Sequence, residues 1–397
     1  MTGDPARPAD AHHAPPHAAP PESIPAIYVV SPDAAAELAA RLRGAGRIAL
    51  DTEADSLYHY REKVCVFQIS FSGANYVVDA LAGLDPSELI RALEEKPLVI
   101  HGADYDLRLM RSCFGFRPRG GVFDTMLAAR LLGYKQFGLA ALAERFFGVV
   151  LSKRGQKADW SRRPLTPAQI DYLVRDTHYL EGIAGRLESE LRARGRDAWH
   201  RESCRCAVEA AMAAPRNTRE AWRLKGTGRL DRRQLAYLRE IGGWREEEAR
   251  RADLPPFKVL GNEQLIGLAL AAAGAGRGFS LSGTKLPRTC VGRRLEALHA
   301  ALGRAHALKP GEWPERPPRT AGEPYPVALM ERLRAECARC AAELGIDPAV
   351  LANRGELISV ARIRPRDAEG LASAGPLMRW QAELLEPRFR RILRGGR

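Results

Sequence analysis

The sequence predicts an α/β domain at the front of the chain and all-α modules behind it. Short β-like runs alternate with helical periodicity from Ile27 to about Arg194, and beyond about residue 212 only helical patterns remain. Pro-rich stretches at residues 1–24 and Lys309–Pro326 punctuate the chain. This gives a tail (1–24), an α/β domain (25–200) and two helical blocks (212–304 and 326–395).

Residues 1–24 are dominated by Pro and Ala without periodic apolar positions, so they lack the apolar surface needed to order and are expected to be disordered. Ile27–Val30 then reads as a strand, Asp33–Arg43 as a helix, and Arg47–Glu53, Val64–Phe71 and Asn75–Asp79 as strands. Pro86–Leu93 is helical, Leu98–His101 is a strand, and Asp104–Phe114 is a helix with Asp104 placed as its N-cap. After Asp124 the pattern is helical, with Val122-Phe123-Asp124-Thr125 opening the helix, and is broken at Gly138, Gly148 and the basic stretch Ser152–Pro164. It resumes at Thr166-Pro167, an N-cap followed by a first-turn proline, and runs to about Arg194. The Lys309–Pro326 stretch cannot continue a helix and is expected to be a semi-rigid spacer.

Composition narrows the function classes. Hydrophobic content of 45% with 27% charged residues is an ordinary globular balance, and the longest nearly apolar run, Leu265–Ala275, is too short to span a membrane. The N-terminus has neither the basic start nor the apolar core of a secretory signal, so a cytoplasmic, reducing environment with no membrane partner is expected. Seven cysteines spread thinly do not form a disulfide framework. Cys204, Cys206, Cys337 and Cys340 make a poor zinc set, because the second pair sits in a helical Ala/Leu pattern and the first has the wrong spacing. The net charge of +13 is uneven: residues 25–200 carry 24 basic against 22 acidic residues, residues 201–397 carry 36 against 23. The basic rear half points to a polyanion, and the front half is left to do the chemistry.

That chemistry is suggested by carboxylates. Hydrolysing a phosphodiester needs an activated water and relief of charge at the leaving oxygen, which two divalent ions about 4 Å apart supply. Hard cations take oxygen ligands. Asp51 and Glu53, two apart at the end of a buried strand, share one face. Asp106 lies in the first turn of the next core helix, and Tyr172 and Asp176 stack at i and i+4 on another. Asp55 lies past the strand end and is expected to be solvated, and Asp124 is expected to be a structural acid at a helix start.

These five residues, in this order, resemble the DEDDy branch of the DnaQ-like 3′→5′ exonucleases, over residues 25–195. Phe67-Gln68-Ile69, Val122–Thr125, Asp159-Trp160 and Arg163-Pro164-Leu165 add a resemblance to ribonuclease D and its exosome-associated relatives. The rear half, through Trp222-Arg223-Leu224, Trp244-Arg245-Glu246 and Gln264-Leu265, resembles an HRDC domain, with Trp222 and Trp244 expected in its core. Residues 326–395 resemble a diverged second copy.

The resemblance implies an RNase H-like/DnaQ-like mixed sheet with helices, and metal ligation by Asp51, Glu53, Asp106 and Asp176. It implies two Mg²⁺ or Mn²⁺ ions, with Asp51 bridging, Asp106 supporting the second ion, and Tyr172 orienting the nucleophile. Glu53 is followed by Ala54-Asp55-Ser56-Leu57 where many members of the resembled family carry an aromatic, so Leu57, Tyr58 and Tyr60 are the candidates to pack the terminal base. The expected activity is release of nucleoside 5′-monophosphates from RNA 3′ ends, tRNA precursors among them, by a monomer. The alternatives are a DNA-directed exonuclease with the same site and a catalytically idle nucleic-acid-binding scaffold. Residues 25–200 are expected to suffice for cleavage, with the basic rear half supplying affinity.

Overall fold

The computed structural model describes residues 24–152, 155–214, 220, 222–316, 325–374 and 377–394, so the tail at 1–23 and part of the Pro-rich link lie outside the described residues. The front half is built on strands β1 (Ile27–Val29), β2 (Ile48–Ala54), β3 (Val64–Phe71), β4 (Ala74–Asp79), β5 (Leu98–Ile100) and β6 (Val122–Asp124), in the spatial order β1-β4-β3-β2-β5-β6. β3 runs antiparallel to β2 and β4, and the β1–β4, β2–β5 and β5–β6 pairs are parallel, so the sheet is mixed.

Helices α1 (Pro32–Gly44), α2 (Ser87–Glu94) and α3 (Asp104–Phe114) bury one face of this sheet, meeting Ile48, Leu50, Phe67, Ile69, Val78 and Ile100. Beyond α4 (Thr125–Leu131) and α5 (Leu139–Phe147), α6 (Pro167–His178) and α7 (Leu180–Ala193) cover the other face, over Ala49, Val66, Val77 and Val99. The period-2 alternation of β2 therefore sends Ala49, Asp51 and Glu53 toward α6, and Leu50 and Thr52 toward α3.

α8 (Asp197–Ala213) leads into two helical blocks. The first holds α9 (Arg232–Ala252), α10 (Pro256–Val259), α11 (Asn262–Ala275) and α12 (Arg293–Ala307) around its own core, with Trp222 and Trp244 buried in it. The second holds α13 (Val327–Leu344), α14 (Pro348–Leu351), α15 (Arg354–Ile363), α16 (Ala368–Ala374) and α17 (Arg379–Arg394).

The two blocks share a backbone plan. α9 and α13 each end on a left-handed residue, Asp253 (φ 47°) and Gly345 (φ 67°). A four-residue helix with proline in its first turn follows in each. Each then has one extended residue, Leu260 (φ −156°) or Ala352 (φ −161°), before the next capped helix.

Several expectations are corrected. A helix opens after Asp124 as expected, but Val122–Asp124 ahead of it is an additional strand, because β5 offers a free edge to which three residues can pair; so short a run leaves no alternation to see. The helical pattern from Thr166 to Arg194 is two helices that break at Tyr179, although the Thr166 cap forms as expected, in a capping box with Gln169. Asp104 is not an N-cap: Ala103 holds that position, and Asp104 pairs with Arg108 one turn on. Asp55 is fully buried rather than solvated, receiving the backbone N–H of Lys63 at 2.9 Å and its ammonium at 2.8 Å. Cys337 and Cys340 lie in the core of the second block, and Cys204 packs against His200.

Candidate active site

The cleft at the end of β2 has a volume of about 730 Å³, and its floor is carboxylate. Asp51 and Glu53 from β2 and Asp176 from α6 each offer an oxygen within 4.8 Å of the others. Asp106 lines the same cleft but arrives from the other face of the sheet, where its Oδ1 accepts from the Thr52 hydroxyl at 2.5 Å. Consecutive residues of one strand thus serve both faces: Asp51 and Glu53 join the cluster, and Thr52 between them orients Asp106.

The turn that presents Asp106 is fixed by Asp124. Its carboxylate accepts from the N–H groups of Gly102 and Ala103 at 3.0 and 2.9 Å, and from Met126 and Leu127 at the start of α4. Asp124 is therefore the structural acid its position suggested, tying the β5–α3 turn to the β6–α4 turn.

Tyr172 projects with Asp176 from α6 into the same cleft. Its ring is held on two sides. Trp160, buried, packs on it at 5.8 Å between ring centres. Gly155 crosses so closely that a Cβ there would lie 2.5 Å from the ring. The loop carrying Trp160 is anchored to the sheet by Arg163, whose guanidinium donates to both oxygens of Asp79 at 2.5 and 2.6 Å and to the Cys65 carbonyl. Trp160, Gly155 and Thr52 are residues that sequence reasoning did not assign to the site; the Asp159-Trp160 and Arg163-Pro164-Leu165 runs were the signal available for the first.

The electrostatics are those of crowded acids. Burial, then the charges of Asp106, Asp176 and Glu53, push the Asp51 carboxyl far above the usual range. Burial, then Asp176 and Asp106, raise Glu53 to about 8. Burial also raises Asp176 to about 7 and Asp106 to about 6, against the hydrogen bonds from Tyr172 and Thr52 respectively. Among the described residues no basic side chain pairs with these four. Burying an unpaired ion costs several kcal/mol, so the cluster is built either to stay protonated or to receive cations.

The candidates for packing a terminal base are also revised. Tyr58 donates to the Lys157 carbonyl at 2.7 Å and Tyr60 to Glu246 at 2.5 Å, and neither they nor Leu57 line the cleft. Its walls are instead His101, Tyr105, Gln136, Leu139, Leu151 and Gln156.

A family model described as 3′-5′ exonuclease matches residues 27–192, and one described as HRDC domain matches residues 234–272. A ribonuclease D from Acidiphilium cryptum is 30% identical over 94% of this chain and 93% of its own length. The chain belongs to the ribonuclease D family. Among solved structures, a protein from Bifidobacterium adolescentis aligns with TM-score 0.78 at 25% identity, covering 94% of this chain and 97% of that one. The Escherichia coli RNase D structure has the same fold, with TM-score 0.72 at 24% identity over 94% of this chain and 99% of its own. As a ribonuclease D-type enzyme the chain is a hydrolytic 3′→5′ exoribonuclease, with a DnaQ-like exonuclease domain and an HRDC domain. No helix among its described residues is long and apolar enough to cross a membrane.

Proposed function

We propose that Asp51, Glu53, Asp106 and Asp176 hold two divalent cations, Mg²⁺ or Mn²⁺, and that Tyr172 orients the attacking water at the 3′ end of RNA. The observation that carries this reading is the convergence of Asp51, Glu53 and Asp176 within 4.8 Å, with Asp106 in the same cleft and no basic partner among the described residues. An all-carboxylate donor set suits hard cations. When bound, such cations supply water activation at neutral pH and relief of charge at the leaving oxygen.

The protein's own groups set the geometry. Asp51, which meets Glu53 and Asp176 in one cluster and lines the same cleft as Asp106, would be the carboxylate the two cations share. Thr52 holds Asp106 through Oδ1 and so fixes the side chain that lines the cleft. Tyr172, clamped between Trp160 and Gly155, holds its hydroxyl at the Asp176 edge, where it can hold a water in line with the scissile phosphate.

We further propose that residues 326–395 are a diverged second HRDC-like module, which the matching order of left-handed cap, four-residue helix, extended residue and capped helix supports. Together with the excess positive charge of residues 201–397, these modules suit capture of structured RNA, tRNA precursors among it, by a monomeric cytoplasmic enzyme. The Escherichia coli neighbour is described as acting in structured RNA processing. The test is release of nucleoside 5′-monophosphates from 3′-labelled RNA and DNA of one sequence, in Mg²⁺ and in EDTA. Faster release from RNA, lost in EDTA and in Asp51→Asn, is expected. Full activity in EDTA overturns the cation assignment, and faster release from DNA overturns the substrate assignment.

A further inference from the structure

Gln68 is completely buried, yet neither its Oε1 nor its Nε2 has a hydrogen-bond partner; no other described side chain has two such atoms. A buried amide left unpaired is destabilising, so its retention calls for a partner that appears in another state of the protein.

The geometry says where that partner lies. In the β2–β3 ladder Gln68 stands directly opposite Asp51, so both side chains leave the sheet on the same side, beneath α6. Cβ atoms of such a pair are roughly 5 Å apart, within reach of a Gln amide and a carboxylate. Farther from the cleft on this face Ser70, Asn75, Thr177 and His178 satisfy one another, while Trp160 contributes a single unpaired atom, Nε1. Ser70 Oγ lies 2.8 Å from Asn75 Oδ1 and 2.7 Å from Thr177 Oγ1, and His178 Nδ1 lies 3.2 Å from Asn75 Oδ1. The paired seam stops one pleat short of Asp51, and the unpaired member is the one beside the carboxylate.

We propose that Gln68 is a positioning residue for Asp51: its amide N–H donates to the Asp51 carboxylate when that group holds cation, fixing which oxygen faces the cleft. The side-chain type fits the task. A lysine there would compete with the cations and a glutamate would add a further negative charge, whereas a carboxamide donates without altering the charge of the cluster. This inference rests on the cation-binding reading above.

The experiment compares wild type, Gln68→Leu, Gln68→Met and the control Asp51→Asn, by Mn²⁺ titration calorimetry and by thermal melting with and without EDTA. Both Gln68 substitutions keep the side chain's bulk and remove the donor, so a folding failure of one leaves the other to answer. The melting temperature in EDTA is expected to stay at or above that of wild type, because two unpaired polar atoms are gone. Mn²⁺ affinity is expected to fall roughly 10-fold or more, as for other groups that orient metal ligands. Turnover of a short RNA falls while KM holds. Wild-type Mn²⁺ affinity in both variants overturns the proposal, as does a lower melting temperature in EDTA with unchanged affinity, which marks Gln68 as a fold residue only. Absence of Mn²⁺ binding by the wild type overturns the two-cation reading and this inference with it.

Discussion

The two helical blocks follow one backbone plan but are joined to the nuclease in opposite ways. The HRDC block keeps its own core, and Tyr60 is the nuclease side chain that packs against it. Polar contacts join it to the nuclease: Asp253 accepts from the Tyr60 N–H at 3.1 Å and lies 2.7 Å from His59 Nδ1, Glu246 accepts from the Tyr60 hydroxyl, and Lys258 sits over the Tyr58 ring at 4.3 Å.

The C-terminal block has no such separate core. Leu333, Cys337, Leu351, Leu385 and Phe389 share one apolar cluster with Ala128, Leu131, Leu142, Ile183 and Leu187 of the nuclease. Arg196, itself buried, donates to Leu131 O and Leu344 O, one carbonyl on each side, at 2.7 Å each. Trp199 stacks on Trp380 at 4.7 Å between ring centres, and Glu202 accepts from the first N–H groups of α17. A polar latch makes a module that salt can loosen, whereas a shared core makes one that stands or falls with its neighbour. The expectation that residues 25–200 suffice for cleavage meets an obstacle here, since cutting the chain behind them uncovers the nuclease side of that cluster.

Paired tryptophan substitutions give the largest contrast. Trp380→Ala and Trp244→Ala should each cost about 3–5 kcal/mol in the block that holds them. Trp380→Ala is expected to lower the melting temperature of the nuclease and its cleavage of a short oligonucleotide together. Trp244→Ala is expected to unfold the HRDC block in an earlier, separate transition and leave short-oligonucleotide cleavage standing. Coincident loss of both in Trp244→Ala, read by calorimetry, would erase the distinction.

Next in size is Tyr172→Phe, which touches neither block. Turnover should fall by about 10²-fold, the low end for positioning and acid–base groups, with RNA binding by filter retention nearly unchanged. Equal loss of binding would move Tyr172 from chemistry to substrate packing.

Changing pH separates the carboxylate site from both docking surfaces. In the metal-free folded protein Glu53 holds its proton to about 8 and Asp176 to about 7, against ordinary values of 4.5 and 3.8. Between those limits the folded state binds more protons than the unfolded one, so metal-free stability should fall as pH rises from about 4 toward 8. Cations need the ionised acids, so the rise in melting temperature caused by Mg²⁺ should be small at acidic pH and largest near pH 8. A Mg²⁺ effect independent of pH would argue against carboxylate ligation.

The smallest effect belongs to the polar latch. Asp253→Asn, which tolerates the left-handed φ of 47°, should change stability by only about 0.2–1 kcal/mol, as exposed ion pairs do. It should nonetheless release the HRDC block at lower salt than in wild type, seen as an increased radius by small-angle scattering. A radius that ignores both the substitution and the salt would mean the latch does not hold the block.

The sequence by itself determined the local pattern and the chemistry. The two-residue spacing of Asp51 and Glu53, the i, i+4 pair Tyr172 and Asp176, and the Thr166 cap are periodicities of single elements, visible wherever the element is long enough to repeat. Burial of Trp222 and Trp244 followed from their place in Leu-rich helical patterns. Tertiary structure alone decided what depends on partners distant in the chain. Asp55 is buried because Lys63 folds back to neutralise it, Val122–Asp124 is a strand because β5 has a free edge, and Tyr172 is clamped because Trp160 and Gly155 arrive from a separate loop. Nor does helical periodicity say which helix another will meet. The apolar stripe of α13 reads the same whether it closes a satellite core or completes the nuclease, and only long-range packing makes that choice.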